Sequence, residues 1–298
     1  MTWLVVGGNG QLGKALSSVL SARGVDVRAW GSEDLDIRSL NRTKELIGAL
    51  KPSVVINAAA WTDVDGAESD PKGAHWVNAE GALNLAAAAK AVGAVFAHVS
   101  TDYVFSGVGS VPWKESDLRA PVSIYGTTKA AGEVAVIEAY SEQSYVFRTA
   151  WLYSEWGKNF SKTMVRLALN GDGEVKVVDD QIGQPTSALD LAEQIVSTVE
   201  AKLPFGIYHG TNSGQASWFE FAQEIFKLCG DGISVDRVVR TDSSSFVRAA
   251  KRPAYSVLGH DAWNAVGEGG VSVGPMRDWK IALSEVMPSI ISAVKAEG

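Results

Sequence analysis

A single cysteine, Cys229, in 298 residues leaves no partner for a disulfide within the chain, so the fold must rest on its apolar core, and a reducing cytoplasm is the expected compartment. The four histidines, His75, His98, His209 and His260, are scattered without a carboxylate or second histidine at ligand spacing, and no metal site is expected. Basic residues are also short, 27 Lys and Arg against 34 Asp and Glu, which gives a formal net charge of -7. With a pI near 5.2, broad binding to nucleic acid or to an anionic membrane is excluded, because both need an excess of cations to neutralise phosphates. No apolar run is long enough to cross a bilayer, and the chain opens on a strand pattern rather than a basic-then-apolar leader. Neither export nor anchoring is therefore expected. There is no Gly-x-Ser-x-Gly elbow for acyl transfer, no internal repeat and no low-complexity tract.

What remains is 46% apolar residues, enough core for one large or two modest domains. Short apolar runs alternate with helical periodicity from the first residue. Strands are expected at Met1 to Gly7, Val25 to Trp30, Val54 to Ala59, Val95 to Ser100 and Ser144 to Thr149. Helices are expected at Lys14 to Ala22, Thr43 to Leu50, His75 to Val92 and Tyr125 to Tyr140. Repeated βα units of this kind predict an α/β fold, a Rossmann-like doubly wound parallel sheet covered on both faces. After Trp151 the pattern loosens into Gly, Pro, Ser and Asp clusters, which predicts a smaller C-terminal α/β substrate domain over 151–298. The dinucleotide domain is expected over 1–150, with part of 175–200 returning to it through the helix Ala188 to Glu200. Ser217 and Glu220 have the spacing of a capping box opening a further helix through Leu228.

The chemistry gathers at strand ends. Gly7-Gly-Asn-Gly-Gln-Leu-Gly13 follows a strand and precedes a helix, so Gly7, Gly10, Gln11, Leu12 and Gly13 are candidates to cradle a pyrophosphate at a helix N-terminus. The second strand ends Arg28-Ala-Trp30-Gly-Ser32 without the acid that binds an adenosine ribose, Glu33 and Asp34 coming slightly later. Arg28 and Ser32 lean the choice between NADPH and NADH toward NADPH, although Arg28 reads equally as a solvated strand residue. Asp36 and Ile37 could hold the adenine, or be a helix-capping Asp before a core Ile. Small side chains at Ala58, Ala59 and Ala60, followed by Thr62, would let a flat ring approach the backbone; close helix-sheet packing would select the same residues. Tyr125 and Lys129 stand one helical turn apart, so the ammonium can approach the phenol, ease loss of its proton and reach a bound ribose. Thr101, at the end of an apolar run, would hydrogen-bond a substrate carbonyl. Arg248, Lys251 and Arg252 form either a clamp for an anionic substrate or a solvated loop.

These stretches, together with NAAAWTDVDGAE (57–68), STDYVF (100–105), YGTTKAAGE (125–133), RTAWLY (148–153), VVDDQIGQPT (177–186) and RPAYSVL (252–258), resemble the extended short-chain dehydrogenase/reductases nearly end to end. The resemblance implies NAD(P)H-dependent reduction of the C4 ketone of a nucleotide-linked deoxysugar, dTDP-4-dehydro-L-rhamnose going to dTDP-L-rhamnose. It implies Tyr125 as proton donor, Lys129 as its electrostatic partner, Thr101 as the carbonyl-orienting hydroxyl, and Asp102, Tyr103 and Trp151 as contacts to the sugar. Asn159 and the segment from Gln181 to Thr186 are implied at the nucleotide diphosphate. The expected partner is thus a small nucleotide sugar, and the protein itself a monomer or homodimer. Asp102-Tyr103 stands where the elimination enzymes of the superfamily carry Asp-Glu, which removes the base a dehydratase needs. An epimerase shares the same tyrosine and lysine and stays open. A non-catalytic NADP-binding subunit, like the regulatory subunit of methionine adenosyltransferase, is opposed by the intact Thr101, Tyr125 and Lys129.

Overall fold

Residues along β1 (Thr2–Val6) alternate between two cores: Trp3 and Val5 pack on one face of the sheet, Leu4 and Val6 on the other. Strands buried on both faces are the interior strands of a parallel sheet. In the computed structural model, which describes residues 1–297, β1 joins β2 (Asp26–Trp30), β3 (Val54–Asn57), β4 (Val95–Thr101), β5 (Ser144–Thr149) and the strand Gly206–His209 in one sheet. Its spatial order is β2-β1-β3-β4-β5 and then Gly206–His209, every pairing parallel. The chain leaves β1 toward β2 and returns to β1's other side for β3. Between β1 and β3 lies the switch point outside the carboxyl ends of the strands, where ligands of such sheets bind.

One face is covered by α1 (Gln11–Ala22), whose Leu12, Leu16 and Leu20 pack with Leu191 and Ile195 of a later helix. The opposite face carries α2 (Leu40–Leu50), then, beyond the short helices α3 (Val64–Ser69) and α4 (Pro71–His75), α5 (Gly81–Val92) and α6 (Ile124–Tyr140). A separate apolar cluster holds α7 (Phe160–Leu169), α9 (Trp218–Leu228) and α10 (Trp279–Glu297) together around Met164, Phe221, Phe226 and Leu283, while α8 (Ala188–Glu200) is the later helix that packs on α1. The Ser217 capping box of α9 is formed in both directions. No helix among the described residues is long and apolar enough to cross a membrane.

Two features differ from the sequence expectation. The single helix expected over His75 to Val92 is interrupted by a π-helical turn at Trp76–Glu80. That turn carries Asn78 inward, where its side chain accepts from the Trp61 amide at 2.9 Å and donates to Trp61 O and to Thr128 Oγ1. An extra residue in the turn is the cost of bridging the loop after β3 to α6. The strand Gly206–His209 was not foreseen either, and it pairs with Tyr145 to Arg148 about sixty residues earlier in the chain.

Candidate active site

The glycine turn is forced by lack of space. Gly7 has φ of +87°, and a Cβ there would lie 2.6 Å from the Ala59 nitrogen; on Gly13 it would lie 2.2 Å from the Gly7 carbonyl oxygen. The first glycine thus lets β1 meet the end of β3, and the last lets α1 sit directly on the turn. Helices α2, α6, α7, α8 and α9 are capped by the side chains of Ser39, Ser123, Asn159, Ser187 and Ser217. Helix α1 begins at Gly10 with no side-chain cap and no acid in its first turn. Its first amides are left for an external acceptor, an arrangement suited to a phosphate.

A cleft of about 710 Å³ opens there. Gly7, Gly10, Gln11 and Leu12 form its floor, with Gly13 packed beneath. Ser32, Asp36, Ile37 and Arg38 line one end; Ala58, Ala59, Ala60 and Thr62 line the middle; Ser100, Tyr125, Lys129 and Thr149 close the other end. At the first end, Arg28 is exposed and lies outside the cleft, and Asp34 is occupied in accepting from the Gly31 amide at 2.8 Å. The cation there is Arg38, which sequence reasoning missed. At the far end, Thr149 pairs in register with Thr101, and its Oγ1 is buried without a partner.

Ser123 caps α6 by accepting from Gly126 N at 3.2 Å, and Glu68 accepts from Ile124 N at 2.8 Å, so Tyr125 is held in a pinned first turn. Its ring meets Tyr103 edge-on at 5.6 Å. Desolvation pushes the Tyr125 phenol up to about 12, a hydrogen bond with Thr101 opposing it. Thr101 Oγ1 donates to Asp102 Oδ1 at 2.9 Å and accepts from the Tyr103 amide. Burial raises the Asp102 carboxyl to about 6 against the pull of the Ser256 and Thr101 hydroxyls. Lys129 is fully enclosed, and burial lowers it to about 8, with Glu133 pulling the other way. Its ammonium hydrogen-bonds Val99 O, so the approach to the phenol expected from sequence is through a shared wall of the cleft rather than a direct hydrogen bond.

Beneath this end lies a buried ion pair that the sequence did not disclose. Glu133 accepts from Arg148 through both carboxylate oxygens, at 2.9 and 2.8 Å, from Ser100 Oγ at 2.6 Å and from Arg119 at 3.2 Å. It joins α6, the end of β4 and the end of β5, the three elements that carry Tyr125 with Lys129, Thr101 and Thr149. Its one signal in the sequence was the spacing of four from Lys129.

Thr101, Asp102 and Tyr103 gather around Tyr125, but none of the six expected substrate residues lines the cleft itself. Trp151, with a φ of +46°, stacks on Trp218 with ring centres 3.6 Å apart. Arg252 is paired with Asp65 at 2.9 Å, and Arg248 approaches the same carboxylate, so this cluster is tied to α3 rather than free. Asn159 caps α7 and donates to Gln11 Oε1 at 3.0 Å and to Ser154 O at 2.8 Å, fastening the loop before α7 over the start of α1. Among the described residues no group of three or more His, Cys, Asp and Glu is placed to hold a metal.

A parallel sheet with this strand order, a glycine turn into an uncapped helix, and Tyr125 and Lys129 on a pinned α6 define an extended short-chain dehydrogenase/reductase. The family described as RmlD substrate binding domain matches residues 1–291, and the chain belongs to it. It is 44% identical to a dTDP-4-dehydrorhamnose reductase of Streptomyces griseus, covering 97% of this chain and 93% of the relative. A probable dTDP-4,6-dihydroxy-2-methyloxan-3-one 4-ketoreductase of Streptomyces antibioticus is 41% identical, with coverage of 98% and 97%. The solved dTDP-4-dehydrorhamnose reductase of Bacillus anthracis in complex with NADP superposes with a TM-score of 0.89 at 37% identity, covering 96% of this chain and 98% of that one.

Proposed function

We propose that this chain is an NADPH-using reductase that converts the C4 ketone of dTDP-4-dehydro-L-rhamnose to the hydroxyl of dTDP-L-rhamnose. The observation that carries the reading is that Tyr125 and Lys129 line one end of a cleft whose floor is the glycine turn, with the Thr101 hydroxyl against the Tyr125 phenol just outside it. The residues present fit a dinucleotide: uncapped amides at α1 for the pyrophosphate, small side chains at Ala58 to Ala60 for a flat ring, and the orphaned Thr149 hydroxyl for a polar group at the far end. When bound, the reduced nicotinamide supplies the hydride that goes to C4 of the sugar. Tyr125, kept neutral by desolvation, holds the proton that the carbonyl oxygen takes up as negative charge develops on it. Thr101 turns its hydroxyl from Asp102 to that oxygen and fixes its direction. Lys129 contributes a positive charge behind the site.

In this reading, residues 1–150 with α8 hold the dinucleotide and the clusters within 151–298 hold the sugar nucleotide. Asp102-Tyr103 provides no second acid-base pair for elimination. Reduction of another nucleotide-linked 4-keto deoxysugar is the second reading, favoured by the similarity to the Streptomyces antibioticus ketoreductase. A panel of nucleotide-linked 4-keto sugars, assayed with NADPH and NADH side by side, tests both. The fastest NADPH oxidation is expected with dTDP-4-dehydro-L-rhamnose; faster turnover of another sugar moves the assignment to the second reading, and no turnover of any sugar removes both.

A further inference from the structure

The Glu133 carboxylate is fully buried and lies outside the cleft. It stands one helical turn beyond Lys129 on α6, so the two side chains leave the same face of the helix. Both are enclosed there, Lys129 at 2% exposure and Glu133 at 0%. Charges sealed in this way are little screened, and the carboxylate favours the ammonium that desolvation works against. The other ionisable groups near Lys129 are Tyr125 on its own helix and His98 on β4, an imidazole that burial and the Lys129 charge hold well on the neutral side. Asp102, at the end of β4, acts on Tyr125 through Thr101. Around Glu133 itself stand Arg148 from β5 and Arg119 from the loop before α6, with the neutral His209 ring against Arg148. The same carboxylate accepts from Ser100 Oγ at 2.6 Å, and Ser100 is the residue before Thr101. Neutralising Arg148 alone would need neither the place beside Lys129 nor the bond to Ser100.

We propose that Glu133 is a positioning residue for the reduction: its carboxylate is the countercharge of the Lys129 ammonium and the tie that keeps Thr101 beside the Tyr125 phenol. It acts only through Lys129 and Ser100, from behind the wall of the cleft. Without it Lys129 gives up its proton more readily, and the alkaline edge of turnover moves to lower pH. The inference rests on the reading of the cleft as a reductase site, and it adds a residue that lines no part of that cleft.

Two measurements test it together, the pH-rate profile and the titration of Lys129 followed by side-chain NMR. The parent is expected to titrate near pH 8 in both. In Glu133→Gln both midpoints should fall by roughly one unit. Glu133→Asp, which keeps the charge, should titrate close to the parent. The double variant Glu133→Gln with Arg148→Met removes the buried uncompensated charge as well, so it guards against a single variant that does not fold. It should regain stability while both midpoints stay below those of the parent. If the midpoints return together with stability, or if Lys129 of an active Glu133→Gln protein titrates where the parent's does, Glu133 is structural only and the inference falls alone. An intact protein that reduces no nucleotide-linked 4-keto sugar removes the reductase reading, and the positioning role with it.

Discussion

The Lys129 ammonium donates to the Val99 carbonyl across 2.6 Å, which places a buried positive charge against β4 two residues before Thr101. Helix α6 therefore supplies both the phenol and the cation, while the strand fixes how far apart they stand. Burial lowers the cation to about 8.

Lys129 is charged below about pH 8 and loses its proton above it. Turnover is expected to fall as pH rises through about 8, and a pH-rate profile from 6.5 to 10 checks this. Lys129→Ala should abolish that limb and weaken both cofactor binding and turnover. A profile that stays flat to pH 9.5 would show that the charge is not needed.

Tyr125→Phe keeps the ring and its edge contact with Tyr103 but removes the proton. Turnover should fall by about 10²-fold or more. Binding of the dinucleotide, followed by fluorescence titration, should change little. Unchanged turnover would assign proton delivery to another group.

Glu133→Gln leaves Arg148, 1% exposed, without its countercharge. Breaking one side of a buried pair of this kind costs about 3–5 kcal/mol, which urea unfolding measures. The double variant Glu133→Gln with Arg148→Met should recover part of that loss. A single variant within about 1 kcal/mol of the parent would mean that the network contributes little to stability.

Two glycine substitutions should have opposite signs. Alanine at Gly13 meets the Gly7 carbonyl, backbone against backbone, and should cost about 1–3 kcal/mol and most of the dinucleotide affinity. Alanine at Gly48, inside α2 with open space around it, should stabilise by roughly 0.5–1 kcal/mol. Thermal unfolding with and without dinucleotide distinguishes the two, and a Gly13→Ala protein that binds normally would show that α1 can shift without harm.

Much of the architecture was legible because it is local. The apolar runs at β1, β3, β4 and β5 and the periodic stretches between them required parallel pairing, and Gly7 to Gly13 announced a strand-to-helix turn before any contact was known. The π-helical turn at Trp76–Glu80 was not legible, because its cause is Asn78 reaching Trp61 and Thr128, two residues from other elements. The strand Gly206–His209 hid for a similar reason: four residues carry too little pattern, and its partner β5 is distant in the chain. At the cleft end lined by Ser32 and Asp36, the sequence pattern pointed to Arg28 because it lies on the strand, whereas the turn that follows brings Arg38 into the cleft and leaves Arg28 in solvent.

By itself the order of residues determined the βα alternation, the glycine turn, and the pairing of Tyr125 with Lys129 on one helical face, since each depends on spacings of a few residues along a regular backbone. Only the tertiary structure decided the strand order, the burial that pushes Tyr125 up and Lys129 down, the Glu133–Arg148 pair beneath them and the Asp36–Arg38 pair at the other end of the cleft. Desolvation and ion pairing depend on which distant segments close over a side chain, and that is settled when the sheet assembles.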